Sequence, residues 1–253
     1  MKLNYKVFGE GKPMVILHGL FGSSDNWQTH ARKLSELNKV YIVDQRNHGM
    51  SPHSEEHNYE VMCEDLLNFF AEENLRDATL LGHSMGGKTA MHFAQNYGHL
   101  LEKLIVADMG MKQYPPHHDT IFKGLFNVKV DECESRKEAE SRLGEFVTDD
   151  STRQFLLKNL YWKAPGKLAW RFNLDALYKH IHEILSALPN NKIDVETLFI
   201  RGGRSNYVTD DDIPDLHKAI SNLEVITMED AGHWIHAENP EEFLRIVADF
   251  VQR

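Results

Sequence analysis

The chain has 253 residues, 42% hydrophobic and 26% charged, enough to bury a core and unlike a disordered, collagenous or coiled-coil composition. Its formal charge of -10 leaves no basic surplus to neutralise nucleic-acid phosphates or to hold an anionic membrane. No apolar run approaches the roughly 20 residues that span a bilayer, the opening MKLNYKVFGEGK lacks a signal core, and Cys63 and Cys133 have no disulfide or metal-ligand spacing, so a reducing cytoplasm is the expected location.

In chain order, the pattern alternates. Lys2 to Val7 reads as a strand before the Gly9 and Gly11 turn, and Met14 to Leu17 as a short buried strand ending at His18-Gly19. Asn26 to Leu37 has helical spacing, Val40 to Val43 is a strand, and Tyr59 to Phe70 is helical. Thr79 to Leu81 leads into GHSMGG, then a helix from Met85 to Tyr97 and a strand from Leu104 to Ala107. Apolar strands separated by amphipathic helices imply a mostly parallel sheet covered on both faces, the α/β class.

From Gly110 to Asn191 only helical patterns are evident: Ile121 to Phe126, Arg136 to Phe146, Ser151 to Leu160 and Leu174 to Leu188. Alternation resumes with Thr197 to Ile200, Asp211 to Ile220, Leu223 to Thr227 and Pro240 to Val251. The expected organisation is therefore one core, residues 1–109 and 192–253, with residues 110–191 inserted as a helical lid. The lid is rich in aromatics, among them Phe122, Phe126, Phe155, Tyr161, Trp162, Trp170 and Phe172, some for packing and some to wall an acyl pocket.

Gly82-His83-Ser84-Met85-Gly86 fits G-x-S-x-G between a strand and a helix. A serine hydroxyl needs exposure and a neighbouring base to act as a nucleophile, and a sharp strand-to-helix turn with small flanking residues supplies the exposure. The Met85 amide, at the helix start, points where negative charge develops. A second oxyanion donor is expected from His18-Gly19-Leu20-Phe21-Gly22, with Leu20 favoured over Phe21. The base is expected last in the chain, which selects His233 in Ala231-Gly232-His233-Trp234; His236 lies nearer the helix and His83 should face away.

Together HGLFGS, DQRNHGMS, GHSMGG, LIVADMG and AGHWIHAENP resemble the α/β-hydrolase superfamily, most of all its YbfF-type bacterial esterases, over nearly the whole chain. The resemblance implies the α/β-hydrolase fold and hydrolysis of carboxylic esters, short-chain or acyl-thioester, with a small-molecule partner and no cofactor. The acid departs from the superfamily pattern. Ser205, in Arg201-Gly202-Gly203-Arg204-Ser205-Asn206-Tyr207, stands where an aspartate is expected, and a neutral hydroxyl does not stabilise an imidazolium. Asp108 and the Asp210-Asp211-Asp212 run are the alternatives. Thr209 before that run makes it read as a capped helix start, and the YbfF-type resemblance implies Asp108.

Asp44, Arg46, His48, Gly49 and Ser51 resemble a loop that fixes geometry in the superfamily. His117-His118 and His180-x-His182 lack zinc-helix spacing and read as surface residues. Three rival functions share these features: carbon–carbon bond hydrolysis or lysis, ligand binding with a vestigial triad, and epoxide or dehalogenase chemistry. The last needs a carboxylate where this chain has Ser84.

Overall fold

A computed structural model describes every residue, Met1–Arg253. The elements run β1 Tyr5–Phe8, β2 Lys12–Leu17, α1 Gln28–Leu34, β3 Asn38–Val43, α2 Tyr59–Glu72, β4 Ala78–His83, α3 Met85–Tyr97 and β5 Leu101–Ala107. After the inserted segment come β8 Glu196–Gly202, α9 Ile213–Ala219, β9 Leu223–Met228, α10 Ile235–Glu238 and α11 Pro240–Val251. The sheet order is β1-β3-β2-β4-β5-β8-β9, with only the β1–β3 pair antiparallel. This is the expected α/β-hydrolase architecture.

Strand alternation divides the core between two faces. Val15 and Leu17 join α2 and α3 in one buried cluster, whereas Met14 and Ile16 join α1 and α11 in the other. On α11, Phe243, Ile246, Val247 and Phe250 recur at i, i+3, i+4 and i+7, so a single stripe is buried. Each such side chain contributes about 1.5–3 kcal/mol by leaving water. Asn239 caps the helix, its side-chain Oδ1 accepting from the Glu242 amide at 3.3 Å, and Pro240 occupies the first turn, where no amide is needed.

The inserted residues hold α4 Asp119–Val128, α5 Arg136–Gly144, α6 Asp150–Leu157, α7 Leu174–Lys179 and α8 Ile181–Leu185. Two expectations fail here. A hairpin, β6 Leu160–Ala164 and β7 Lys167–Trp170, interrupts what had read as helix only. Pro165-Gly166 between two aromatic-rich runs is a turn signal, and Gly166 takes φ +71°. The single helix expected over Leu174 to Leu188 is broken at His180, at φ -106° and ψ 12°, and has ended by Ser186.

The 52-residue cluster that includes Leu17, Leu80 and Val106 of the sheet also takes in Phe122, Leu143 and Leu156 of the insertion. Shared burial makes the insertion part of the same core. Phe21 is the main junction, its ring edge-on to Phe122 and Phe172 at 5.3 Å each, while Asn159 Nδ2 donates to the Phe21 carbonyl at 2.8 Å.

Candidate active site

The sheet's hydrogen-bond ladder runs one residue past two strands. The Ser84 amide donates to the Ala107 carbonyl at 3.2 Å, and the Asp108 amide to the Ile200 carbonyl at 2.8 Å. Ser84 and Asp108 therefore stand side by side at the carboxyl edge of β4 and β5. Both have positive φ, 54° and 49°, a conformation that costs a non-glycine residue on the order of 1–3 kcal/mol and persists only where packing dictates it. Around Ser84 it does. A Cβ on Gly82 would lie 2.1 Å from the Gly86 carbonyl oxygen, and one on Gly86 would lie 2.5 Å from that of Leu17. The turn closes only with glycine at both places, and it leaves Ser84 half-buried at its tip.

The ring of His233 lies between the two. Its Nε2 is 3.0 Å from Ser84 Oγ, and its Nδ1 is 2.8 Å from Asp108 Oδ2. Nδ1 donates to the carboxylate, so Nε2 is left to accept from the serine hydroxyl. The Asp108 side chain is fully buried and is further held by the Gly202 amide, which donates to Oδ1 at 3.0 Å, and by the Ser205 hydroxyl, which donates to Oδ2. Ser205 thus touches the carboxylate it had seemed to replace in the sequence. The Asp210 to Asp212 run faces elsewhere: Thr209 and Asp212 form a capping box, Asp210 pairs with Arg201, and Asp212 with Lys112.

The loop carrying His233 is fixed from both sides. Glu238 of α10 accepts from the amides of Gly232 at 2.9 Å and Trp234 at 3.2 Å. His83 Nε2 donates to the His233 carbonyl at 2.9 Å, and burial pushes the His83 imidazole down to about 3, so it is neutral. The His83 ring lies beside that of His233, with centroids 4.9 Å apart, and against the expectation that it would face away it also lines the cavity at Ser84. His236 stacks on Trp27 at 4.3 Å and does not line the cavity at Ser84.

The loop after β2 presents a free donor. The Phe21 amide donates to His48 Nε2 at 3.1 Å, whereas the Leu20 amide has no partner within the chain. Met85, as the first residue of α3, has an amide with no intrahelical acceptor. The residues after β3 hold this loop. Asp44 accepts from the Ser24 amide at 2.6 Å and the Met50 amide at 3.0 Å, and the Gln45 amide donates to His18 Nε2 at 3.0 Å. Burial lowers His18 and His48 below the ordinary histidine value, which keeps both as neutral acceptors.

Above Ser84 lies a cavity of about 220 Å³, walled by Leu20, Phe21, Ile121, Phe155, Leu156 and Trp234. His118 also lines it, and burial pushes that imidazole down to about 3, so the wall carries no charge there. Of the inserted aromatics, Phe155 reaches the cavity, Phe122, Trp170 and Phe172 pack inward, Tyr161 is half-buried, and Phe126 and Trp162 are exposed. Neither histidine pair, His117-His118 or His180-x-His182, belongs to a group of three side chains that could hold a metal ion. No helix is long and apolar enough to cross a membrane.

One neighbour of the row has no signal in the sequence: Tyr207, whose ring stacks on that of His233 with centroids 3.7 Å apart and planes 14° from parallel. A lone tyrosine in a polar loop carries no periodicity and no motif.

Residues 12–240 match the family model described as alpha/beta hydrolase fold. Esterase YbfF of Escherichia coli is 33% identical over 94% of this chain and 92% of its own length. The sn-1-specific diacylglycerol lipase ABHD11 of Danio rerio is 36% identical over 100% of this chain and 83% of its own. A solved structure, a marine microorganism esterase, superposes with a TM-score of 0.96 at 39% identity, covering 98% of this chain and 99% of that one. With the sheet order and the strand-edge geometry described above, these matches place the chain in the α/β-hydrolase fold family.

Proposed function

We propose that this protein hydrolyses carboxylic esters with short acyl groups through an acyl-enzyme on Ser84. The observation that carries the reading is the continuous row from Ser84 Oγ through His233 to Asp108, at 3.0 and 2.8 Å, beside the unpartnered Leu20 amide. Ser84 attacks the ester carbonyl carbon while its proton passes to His233 Nε2, and Asp108 stabilises the resulting imidazolium. The amides of Leu20 and Met85 bind the oxyanion; one such donor is worth on the order of 10²–10³ in kcat. The carbon–oxygen bond to the alcohol then breaks, and the alcohol leaves with the proton from His233. Water repeats the sequence, releasing the acid and restoring the Ser84 hydroxyl.

A cavity of about 220 Å³ is smaller than the roughly 300–1,000 Å³ typical of drug-sized ligands, which favours short acyl groups. Residues 110–191 act in this reading as a lid, since Ile121, Phe155 and Leu156 close the cavity from above. The relatives named as an esterase and a lipase are consistent with ester hydrolysis.

The test uses the purified protein with p-nitrophenyl esters from acetate to laurate, a vinylogous diketone for carbon–carbon cleavage, and a fluorophosphonate probe followed by peptide mass spectrometry. The expected result is turnover greatest on the shortest esters and a covalent adduct on Ser84. Diketone cleavage without ester turnover, or a probe that leaves Ser84 unlabelled, would overturn the reading.

A further inference from the structure

Hydrogen bonds at opposite ends of the His233 ring define an axis through it but leave its tilt about that axis free. Tilt is controlled by what lies against the two ring faces. His83 is 4.9 Å away and inclined at 40°, and Trp234 is 6.1 Å away at 72°. Neither is a flat support. Tyr207, at 3.7 Å and 14°, is.

We infer that Tyr207 is a positioning residue for His233: its ring sets the tilt that keeps Nε2 on Ser84 Oγ, and its electron-rich face favours the imidazolium formed as Ser84 gives up its proton. The inference rests on the acyl-transfer reading of the same site and adds a residue to it.

Tyr207 is itself immobilised from three directions. Its amide donates to Ser205 Oγ at 3.2 Å, and its carbonyl accepts from the Tyr114 hydroxyl at 2.9 Å. Its phenol is 2.6 Å from His117 Nε2. His117 Nδ1 donates to the Pro115 carbonyl at 2.7 Å, so Nε2 accepts and the phenol donates. Burial pushes the phenol up to about 12, and it keeps that proton through the neutral range. The Tyr114 hydroxyl in turn accepts from the Gly110 amide at 2.8 Å, two residues beyond Asp108. The plate is therefore tied to the acid's own strand, to the Ser205 loop and to the insertion.

Ser205 and Tyr207 lie two residues apart after β8, the loop where the superfamily pattern leads one to expect an acid. Here that loop supports the base at two points: one hydroxyl on the Asp108 carboxylate and one ring on the imidazole face. An aromatic face against a partly desolvated cation changes an equilibrium by roughly 3- to 30-fold, enough to matter in a proton-transfer step.

The experiment compares the full-length protein with Tyr207→Phe and Tyr207→Leu, measuring kcat and KM on p-nitrophenyl acetate across roughly pH 5 to 9, together with a crystal structure of the leucine variant. The phenylalanine variant keeps the plate and should stay within about twofold of the parent. The leucine variant should lose roughly 3- to 30-fold in kcat with little change in KM, and the acid limb of its rate profile should move to lower pH. Its crystal structure should show the His233 ring tilted away from Ser84 Oγ. A change in KM alone, with the acid limb and the ring unmoved, would make Tyr207 only a cavity wall and sink the inference. Should the parent protein turn over no ester, the hydrolase reading fails separately, and the ring's orientation in the leucine variant still decides this one.

Discussion

The carboxyl edge of the sheet and the inserted residues 110–191 are built on different terms. At the edge, backbone meets backbone: Gly82, Gly86 and Leu17 approach so closely that residue identity is dictated by ångströms. In the insertion, short helices and a hairpin are held to the core by side chains, such as Phe122 and Phe172 on Phe21 and Asn159 on its carbonyl. The buried Lys88 amine spans the two regions, donating to the Lys112 carbonyl at 2.8 Å and also to that of Ser186, near the two ends of the insertion. In the proposed reaction the edge sets whether chemistry occurs and the insertion sets which esters reach it.

The sharpest way to break that division is Ser84→Ala. Removing the hydroxyl should lower kcat on p-nitrophenyl acetate by about 10⁶-fold while far-ultraviolet circular dichroism stays unchanged. Residual activity near that of the parent would move the chemistry elsewhere. Next is Asp108→Asn, expected to cost about 10⁴-fold in kcat, because an amide in its place favours the wrong tautomer of His233. Asp210→Asn, far from the ring in its capping turn, should leave turnover within about twofold and stability within roughly 0.5 kcal/mol. The reverse ranking of these two would move the acid from Asp108 to the Asp210 to Asp212 run.

Acid should loosen the edge. His57 and His83 are buried and pushed down to about 3 from an ordinary 6.5. Between those values only the unfolded chain takes up the proton, so their full contribution is present above pH 6.5 and is lost as pH falls towards 3. At pH 5 each should lower stability by about 2 kcal/mol relative to pH 7, a large part of a typical 5–15 kcal/mol. Urea midpoints at the two pH values measure the loss, and His57→Gln should make it smaller. An unchanged midpoint would mean that these imidazoles are not held neutral.

The smallest expected effect sharpens the insertion's side of the contrast. A second cavity of about 360 Å³ shares Thr152, Phe155 and Trp234 with the one above Ser84, and the rings of Phe155 and Trp234 meet edge-to-face at 4.4 Å. Phe155→Ala should join the two spaces and raise octanoate over acetate turnover by about tenfold, as each buried methylene is worth about 0.8 kcal/mol. A chain-length profile matching the parent's would show that Phe155 is not the partition.

Much of this molecule was legible in the residues alone. Helices Met85–Tyr97 and Pro240–Val251 end where periodicity and capping say they should, and the alternation of strand and helix follows from apolar runs spaced by amphipathic stretches. The hairpin at residues 160–170 was missed because the helical patterns on either side outweighed the Pro165-Gly166 turn signal. Ser84 and His233 carry local signatures, since a crowded turn and a loop before the last helix constrain their neighbours in sequence.

Which carboxylate reaches His233 has no such local mark. It depends on β5 lying between β4 and β8, so that the residue just past β5 stands beside the one just past β4. The same holds for Ser205 on Asp108 and Tyr207 on the imidazole, residues separated from their partners by 97 positions in the first case. Periodicity and capping act over a few residues and can be read along the chain. Contacts across strand ends exist only after the sheet has chosen its order, and tertiary packing alone makes that choice.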